Sequence, residues 1–277
     1  MNRPPAEPPR FYSGGNRDFP CQVLALDFDG VLCDSARETG ITGWKAGVTL
    51  WEDMVESLPP QSLLERYCRV RPVIETGYEA IVMMRLLKDG EDPDELLGTF
   101  PNRLHEVVAR SGTDTAGLKR LYGAVRDRWL RKNPQEWLSL SPLYPGTSHV
   151  LKGLPAGIDC YIVTTKQERF VARLLEHQGV RFDTEHIFGL DRGMTKEKVV
   201  RQFMVHHPGD PIHLVEDRLA TLKRFLARPD LAAVRLHLAC WGYNTEAERR
   251  EAMGLKIHLL KALSLTEIAN MEYHSDR

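Results

Sequence analysis

The chain has 277 residues, 42% of them hydrophobic, which is enough to bury a sizeable core. Its 37 basic and 38 acidic residues leave a formal net charge of -1, so we expect neither nucleic acid nor an anionic membrane as a partner. No stretch of about 18 apolar residues predicts a membrane span. The five cysteines contain no CxxC pair, which argues against a disulfide framework or a structural zinc site and favours a cytoplasmic location.

Residues 1–20 contain five prolines and a Gly-Gly pair. This composition predicts a flexible tail that does not take part in the fold. The segment also lacks the apolar core of a signal peptide, in agreement with a cytoplasmic protein.

Four short apolar runs follow, at residues 21–27, 160–165, 211–217 and 233–242. The first three end in acidic or hydroxyl residues. Residues 23–26 and 161–163 show no polar alternation, which is typical of strands buried on both faces in a parallel sheet.

Helical patterns lie between the later runs, at residues 167–180, 196–207 and 219–229. In the first of them, apolar residues recur at three- and four-residue spacing up to Gly179. Strands that alternate with helices predict an α/β fold with a doubly wound parallel sheet, in which ligands bind beyond the carboxyl ends of the strands.

A segment with a different sequence pattern separates the first and second apolar runs. It is rich in amphipathic helical patterns and contains Pro59, Pro60, Pro72, Pro93, Pro101 and Pro134. We therefore expect a separate helical domain at residues 37–139, inserted into a core formed by residues 21–36 and 140–277.

The first run ends in LALDFDGVLCDS, residues 24–35, which places Asp27 and Asp29 two positions apart. On a strand, such residues project to the same side. Two carboxylates held this close repel each other unless a cation lies between them or one holds a proton. Gly30 allows a sharp turn or the close approach of a ligand. The pattern suits a magnesium-assisted reaction in which one Asp attacks and the other moves a proton.

The segment DFDGV resembles the first motif of the haloacid dehalogenase superfamily, whose phosphatases share a DxDGT/V signature. The other motifs of that family have counterparts here in the same order. Thr164 closes a strand, Lys196 begins a helix, and Glu216 and Asp217 form an acid pair at the end of a further strand. Lys198, two positions away, is the alternative to Lys196. The resemblance covers the core and implies a Rossmann-like sheet with a helical cap inserted after the first motif.

The resemblance also implies a role for each motif residue. Asp27 would attack phosphorus and form an aspartyl-phosphate, and Asp29 would protonate the leaving group and then deprotonate water. Thr164 would hydrogen-bond a phosphoryl oxygen, and Lys196 would balance the negative charge. Mg²⁺ would bind Asp27, the main-chain carbonyl of Asp29, and Asp217.

The fourth motif departs from the family pattern GDxxxD. Glu216 stands in place of Gly, and Thr221 stands in place of the second Asp. Glu216 is therefore a candidate metal ligand that restores the lost charge, directly or through water. The alternative is a weaker metal site.

The inserted domain resembles the caps that close over the site in this family and read the leaving group. Arg71 and Glu75, near a proline and a helix start, are candidate substrate contacts, with solvated surface as the alternative. Thr165, next to Thr164, is a further candidate substrate contact and the alternative phosphate-binding hydroxyl. We expect His206, His207 and His213 to be surface or strand residues, because ligand spacing for zinc is absent.

The leading functional prediction is a magnesium-dependent phosphatase acting on a small phosphorylated metabolite. A phosphomutase uses the same core and is the first alternative, and a catalytically weak binding or regulatory protein is the second. Dehalogenation is disfavoured, because dehalogenases of the superfamily lack the second acid that Asp29 provides here. The sequence makes no prediction about oligomeric state.

Overall fold

The structure is a computed structural model and describes residues 22–264. The chain divides into two compact units. One is the segment 34–142, and the other combines the described residues before and after that segment. The tail predicted at residues 1–20 lies outside the described residues. Within residues 22–264, no helix combines the length and the apolar character needed to cross a membrane.

The discontinuous unit is built on a six-stranded parallel sheet with the order β3-β2-β1-β4-β5-β6. The strands are β1 (Gln22–Leu26), β2 (Ile158–Val163), β3 (Ile187–Phe188), β4 (Ile212–Glu216), β5 (Arg235–Ala239) and β6 (His258–Leu260). This topology confirms the predicted doubly wound α/β fold.

The strand order reverses at β1. From β1 the chain runs outward to β2 and β3, and then returns to β4 on the other side of β1. Leu26 pairs with Ile162 of β2 and with Val215 of β4, so the carboxyl ends of the three strands are level. Ligands of open α/β sheets bind beyond the strands at such a reversal. The residues that follow these paired positions therefore define the place to look for a site.

Apolar burial holds the helices against this sheet. The described residues of the unit contain α7 (Thr147–Lys152), α8 (Glu168–His177), α9 (Lys196–His206), α10 (Leu219–Leu226) and α11 (Glu246–Ala252). β1 is buried along its whole length, as the absence of polar alternation predicts. In α8 the predicted apolar stripe, Phe170, Val171, Leu174 and Leu175, is buried. Each such side chain contributes about 1.5–3 kcal/mol relative to an exposed position.

Two strands, β3 and β6, are not predicted by the apolar runs. They are two and three residues long, too short for a hydrophobic period to register. Pairing with β2 and β5 defines them instead.

Segment 34–142 is helical, as its amphipathic patterns predict. Its helices are α1 (Ala36–Gly47), α2 (Gln61–Val70), α3 (Glu79–Lys88), α4 (Pro93–Arg110), α5 (Thr115–Lys132) and α6 (Pro134–Ser139). Pro93 and Pro134 occupy the first turns of α4 and α6, where the missing N–H has no intrahelical partner to lose. Pro101 instead lies inside α4, which continues past it to Arg110.

Candidate active site

Four charged side chains converge beyond the carboxyl ends of β1 and β4: Asp27, Lys196, Glu216 and Asp217. Asp27 directly follows β1, and its N–H donates to the carbonyl of Val215 at 2.9 Å. Glu216 is the last residue of β4, and Asp217 follows it. All four residues are at most 9% exposed, so their charges interact with little screening by water.

Lys196 links two of the acids. Its Nζ lies 3.0 Å from Asp27 Oδ1 and 2.7 Å from Glu216 Oε1. The lysine is the first residue of α9, where the side chain of Thr195 caps the helix by accepting the Lys198 N–H at 3.3 Å. The side chain of Lys198 is exposed. The structure therefore brings Lys196, and not the alternative Lys198, to the acids.

The charges of this cluster are not balanced. Burial alone would lower the pKa of Lys196, but Asp27 and Glu216 raise it above its usual range. Burial also acts on Glu216, yet the contact with Lys196 holds its pKa below the usual range. For Asp27, burial raises the pKa from 3.8 to about 6, only partly offset by Lys196 and reinforced by Glu216 and Asp29. One lysine is therefore too little positive charge for the carboxylates around it.

The same acids fit a hard divalent cation. Asp27, Glu216 and Asp217 each offer a ligand oxygen, and these atoms lie within 4.8 Å of one another. Mg²⁺ prefers such carboxylate oxygens, and its charge would relieve the penalty on ionised Asp27. The residues present fit magnesium. The side chain of Asp29 is not part of this group.

Neither a family model nor a curated protein matches the sequence. Solved structures do resemble the fold. A predicted phosphatase from Clostridium acetobutylicum has a TM-score of 0.54 at 17% identity, covering 92% of this chain and 99% of that chain. A provisionally named haloacid dehalogenase-like hydrolase from Bacteroides fragilis has a TM-score of 0.51 at 17% identity, covering 88% and 98%. The chain has a haloacid dehalogenase-like fold.

A third similar structure is a predicted phosphoglycolate phosphatase from Haemophilus somnus, with a TM-score of 0.53 at 16% identity, covering 92% of this chain and all of that chain. At these identities the likeness concerns the fold. Within the haloacid dehalogenase-like core, the chemistry must be derived from the side chains themselves.

Thr164 stands at the end of β2, as the second motif predicts. Its N–H donates to the carbonyl of Phe188 at 2.9 Å, which fixes the backbone against β3. Its hydroxyl oxygen accepts the N–H of Lys166 at 3.2 Å. An oxygen that accepts this bond still carries a proton to donate. Thr165 is next in the chain and is half-buried.

Sequence reasoning missed the loop after β5 as a support of the acidic cluster. The N–H of Tyr243 donates to Asp217 Oδ2 at 2.8 Å, and Asn244 Nδ2 donates to the carbonyl of Asp217 at 2.9 Å. Gly30 (φ +87°) and Gly242 make this packing possible, since a Cβ at Gly30 would overlap the Asp217 carboxylate and one at Gly242 would overlap the Gly30 carbonyl. Gly30, directly after Asp29, and Gly242, at the end of the fourth apolar run, were the available signals.

Sequence reasoning also missed a partner of Asp29. Lys166 Nζ donates to Asp29 Oδ1 at 2.9 Å, across 137 positions of sequence. The lysine follows the Thr164-Thr165 pair directly, and this position after a strand end was the signal that could have found it. Each acid of the DxD motif thus contacts its own lysine.

The candidate substrate residues Arg71 and Glu75 lie in the helical unit. Arg71 is buried rather than solvated, and its Nη1 donates to the carbonyl of Ile74 at 2.8 Å. Glu75 is half-buried, and its N–H donates to Glu79 Oε2 at 2.7 Å. These contacts order the start of α3, and a role in substrate binding stays a prediction.

The three singled-out histidines do not form a metal site with each other. His213 lies in β4, where its Nδ1 is 3.0 Å from His237 Nε2 of β5. His207 is neither a surface nor a strand residue, in contrast to the prediction: it is buried directly after α9, and its Nε2 lies 3.0 Å from the hydroxyl of Tyr161. His206 is half-buried. Among the described residues, the only group of three or more potential ligands close enough to hold one metal ion is the acidic cluster.

Proposed function

We propose that the protein is a magnesium-dependent phosphatase that hydrolyses a small phosphorylated metabolite through an aspartyl-phosphate, in the cytoplasm. The observation that carries the proposal is the buried convergence of Asp27 with Lys196, Glu216 and Asp217 where the strand order reverses. The names of the similar structures, which include two phosphatases and a hydrolase, support it.

In the first half of the proposed reaction, a carboxylate oxygen of Asp27 attacks phosphorus in line. A bond forms between Asp27 and phosphorus, the phosphorus–ester oxygen bond breaks, and its electron pair stays on the leaving oxygen. The carboxyl of Asp29 donates its proton to that oxygen. The O–H of Thr164 donates a hydrogen bond to a phosphoryl oxygen, and Lys196 offsets the negative charge that collects near Asp27.

In the second half, the Asp29 carboxylate takes a proton from water as the water oxygen attacks the aspartyl-phosphate. The bond between Asp27 and phosphorus breaks, and its electrons return to the Asp27 carboxylate. Inorganic phosphate leaves, and Asp29 is again a carboxyl. Asp27 and Asp29 therefore return to their starting states, and water is the only reactant besides the substrate.

Mg²⁺, when bound, would supply positive charge that offsets the phosphoryl oxygens and holds them in place. Its proposed protein ligands are the carboxylates of Asp27 and Asp217 and the main-chain carbonyl of Asp29. Glu216 is proposed as a further ligand, direct or through water. Because Glu216 also bonds Lys196 and the N–H of Arg218 at 2.8 Å, it fixes the lysine beside Asp27.

Hydrolysis of p-nitrophenyl phosphate tests the proposal. We expect turnover that requires magnesium, is abolished by EDTA, and falls at least about 1,000-fold in Asp27→Asn. Asp230→Asn is the matched control, because Asp230 is an exposed aspartate of the same unit that pairs with Arg201. Turnover by Asp27→Asn at the wild-type rate would contradict the proposal.

A panel of phosphorylated metabolites then separates the two reactions that this core supports. A phosphatase releases inorganic phosphate from its substrate, whereas a phosphomutase yields an isomer with the phosphate retained. Thr165, Arg71 and Glu75 remain the proposed substrate contacts. A rise in KM with little change in kcat, in Thr165→Val or Glu75→Gln, is the result expected of such contacts.

A further inference from the structure

Within the discontinuous unit, Asp29 and Lys166 form an ion pair. The proposed reaction uses Asp29 but assigns no role to Lys166. Lys166 Nζ lies 2.9 Å from Asp29 Oδ1. The two residues come from the loops that follow β1 and β2, neighbouring strands whose carboxyl ends are level. The pair therefore lies at the same edge of the sheet as the acidic cluster.

The two partners differ in exposure. The side chain of Lys166 is fully buried, whereas that of Asp29 is 17% exposed. Asp29 is thus the member of the pair that water and small molecules can reach, and Lys166 supports it from the buried side. A lysine in this position is poorly placed to bind substrate directly.

The backbone of Lys166 is held on both sides. Its N–H donates to the hydroxyl oxygen of Thr164 at 3.2 Å, and its carbonyl accepts the N–H of Leu190 at 3.0 Å. Gly189 packs so closely on that carbonyl that a Cβ would overlap it. The ammonium group therefore extends from a fixed point toward Asp29.

Stability alone gives little reason for this lysine. A buried ion pair seldom stabilises a fold more than apolar residues of similar volume, because desolvation of the charges offsets their attraction. Asp29 would keep contact with water if Lys166 were lost. A buried lysine at this point is better explained by what it does to the orientation of Asp29.

We propose that Lys166 is a positioning residue that holds Oδ1 of Asp29, so that Oδ2 transfers the proton in both halves of the reaction. The proposal rests on the proposed phosphatase function. An ammonium group can donate to Oδ1 whether Asp29 is a carboxylate or carries a proton on Oδ2. The contact therefore persists through the whole cycle.

The test compares Lys166→Met with the wild-type protein in steady-state hydrolysis with magnesium. We expect kcat to fall about 10- to 100-fold, as for a misplaced catalytic group, with KM within about twofold. In single turnovers, release of phenol from phenyl phosphate should slow more than release of dinitrophenol from 2,4-dinitrophenyl phosphate, because a poor leaving group depends more on the acid. The melting temperature should fall by only a few degrees, because Asp29 keeps contact with water.

A double-mutant cycle separates positioning from general damage. In an Asp29→Asn background, Lys166→Met should cause almost no further loss of leaving-group release, because the proposed role of Lys166 is to hold Asp29. Lys166→Gln, which keeps a side-chain donor, should recover part of the rate and provides the test if Lys166→Met does not fold. Lys223→Met is the matched control, because Lys223 forms an exposed 2.7 Å pair with Glu251.

Four results would overturn the inference while the proposed function stands. They are unchanged kcat in Lys166→Met and Lys166→Gln, losses that multiply in the double variant, equal slowing with both phenyl esters, or a loss of activity that follows a larger fall in melting temperature. Absence of any Asp27-dependent turnover by the wild-type protein would instead overturn the proposed function, and the role of Lys166 with it.

Discussion

Each of the two units contains a buried ionic cluster, and the two clusters differ in how their charges are matched. In the helical unit, Glu38 accepts two bonds from Arg126, at 2.9 and 2.6 Å. It also accepts the indole N–H of Trp137 at 2.9 Å and the hydroxyl of Thr42 at 2.6 Å. The carboxylate is therefore paired with a guanidinium and surrounded by donors.

In the sheet unit, Asp27 and Glu216 share Lys196, and Asp217 is a third buried acid of the same cluster. The pKa of Asp27 is raised to about 6, chiefly by burial, in spite of the lysine. Burial of charge is common to both clusters, so burial does not distinguish them. The excess of acids over bases is found in the sheet cluster, and a further cation would relieve it.

The largest expected effect follows from removal of the one lysine of the sheet cluster. Lys196→Met should abolish phosphatase activity and lower the free energy of unfolding by about 3–5 kcal/mol in EDTA, since buried acids lose their counter-charge. Magnesium should restore part of that stability. Urea unfolding with and without the metal measures both effects. Lys198→Met, at an exposed position on the same helix, is the control, and an equal loss in the control would contradict the interpretation.

The balanced cluster should respond differently. Arg126→Met leaves Glu38 buried without its guanidinium and should cost about 3 kcal/mol. The double variant Glu38→Leu with Arg126→Met should recover only part of that loss, because Trp137 and Thr42 lose their acceptor. Magnesium should change neither result. A double variant as unstable as Arg126→Met would contradict the claim that the loss comes from leaving the Glu38 charge unpaired.

The histidine pair of β4 and β5 is a third buried polar group, and it is neutral. Burial, followed by the charge of Arg235, lowers the pKa of His213 from 6.5 to about 4, and burial likewise lowers the pKa of His237. Between about pH 6.5 and 4, the unfolded chain binds protons that the folded protein does not.

Stability should therefore fall as the pH falls through this range, by about 2–3 kcal/mol for His213. His213→Leu should flatten the dependence measured by urea unfolding, and His149→Gln, an exposed site, should not. If His213→Leu leaves the pH dependence of stability intact, groups other than His213 cause it.

The smallest expected effect is the contribution of Asp27 to the pH dependence of stability, and its sign is opposite to that of His213. Because the pKa of Asp27 in the folded protein is above its unfolded value of 3.8, stability is lost as the pH rises from about 4 to 6, and the penalty is complete above pH 6. Asp27→Asn should therefore raise the free energy of unfolding by about 1–2 kcal/mol at pH 7.5 in EDTA. Saturating magnesium should remove or reverse the difference. A destabilised variant in EDTA would contradict the charge imbalance.

Much of the fold could be predicted from local patterns. β1, β2 and β4 were readable as apolar runs with an abrupt polar end, although β2 begins at Ile158, two residues before its run, and α8 was readable from its continuous apolar stripe. β3 and β6 could not be predicted, because two or three residues are too few to show a hydrophobic period. They are strands because they pair with β2 and β5.

The site likewise has a part that local sequence patterns predict and a part that they do not. Asp27, Glu216 and Asp217 stand at strand ends, and parallel pairing alone makes those ends meet. Their roles stay predictions, although the structure brings them together. The pairing of Lys166 with Asp29 depends on a loop conformation and a side-chain direction. The place of Lys166 directly after a strand end indicates its edge of the sheet, but its contact with Asp29 became visible only in three dimensions.

The most direct test of the central idea, that the excess of buried acids is there to hold a divalent cation, is calorimetric titration of the protein with magnesium at pH 7.5. We expect one ion bound per chain by the wild-type protein and none by Asp217→Asn, with Asp230→Asn binding as the wild type does. Absence of binding by the wild-type protein at millimolar magnesium, or equal binding by Asp217→Asn, would contradict the idea.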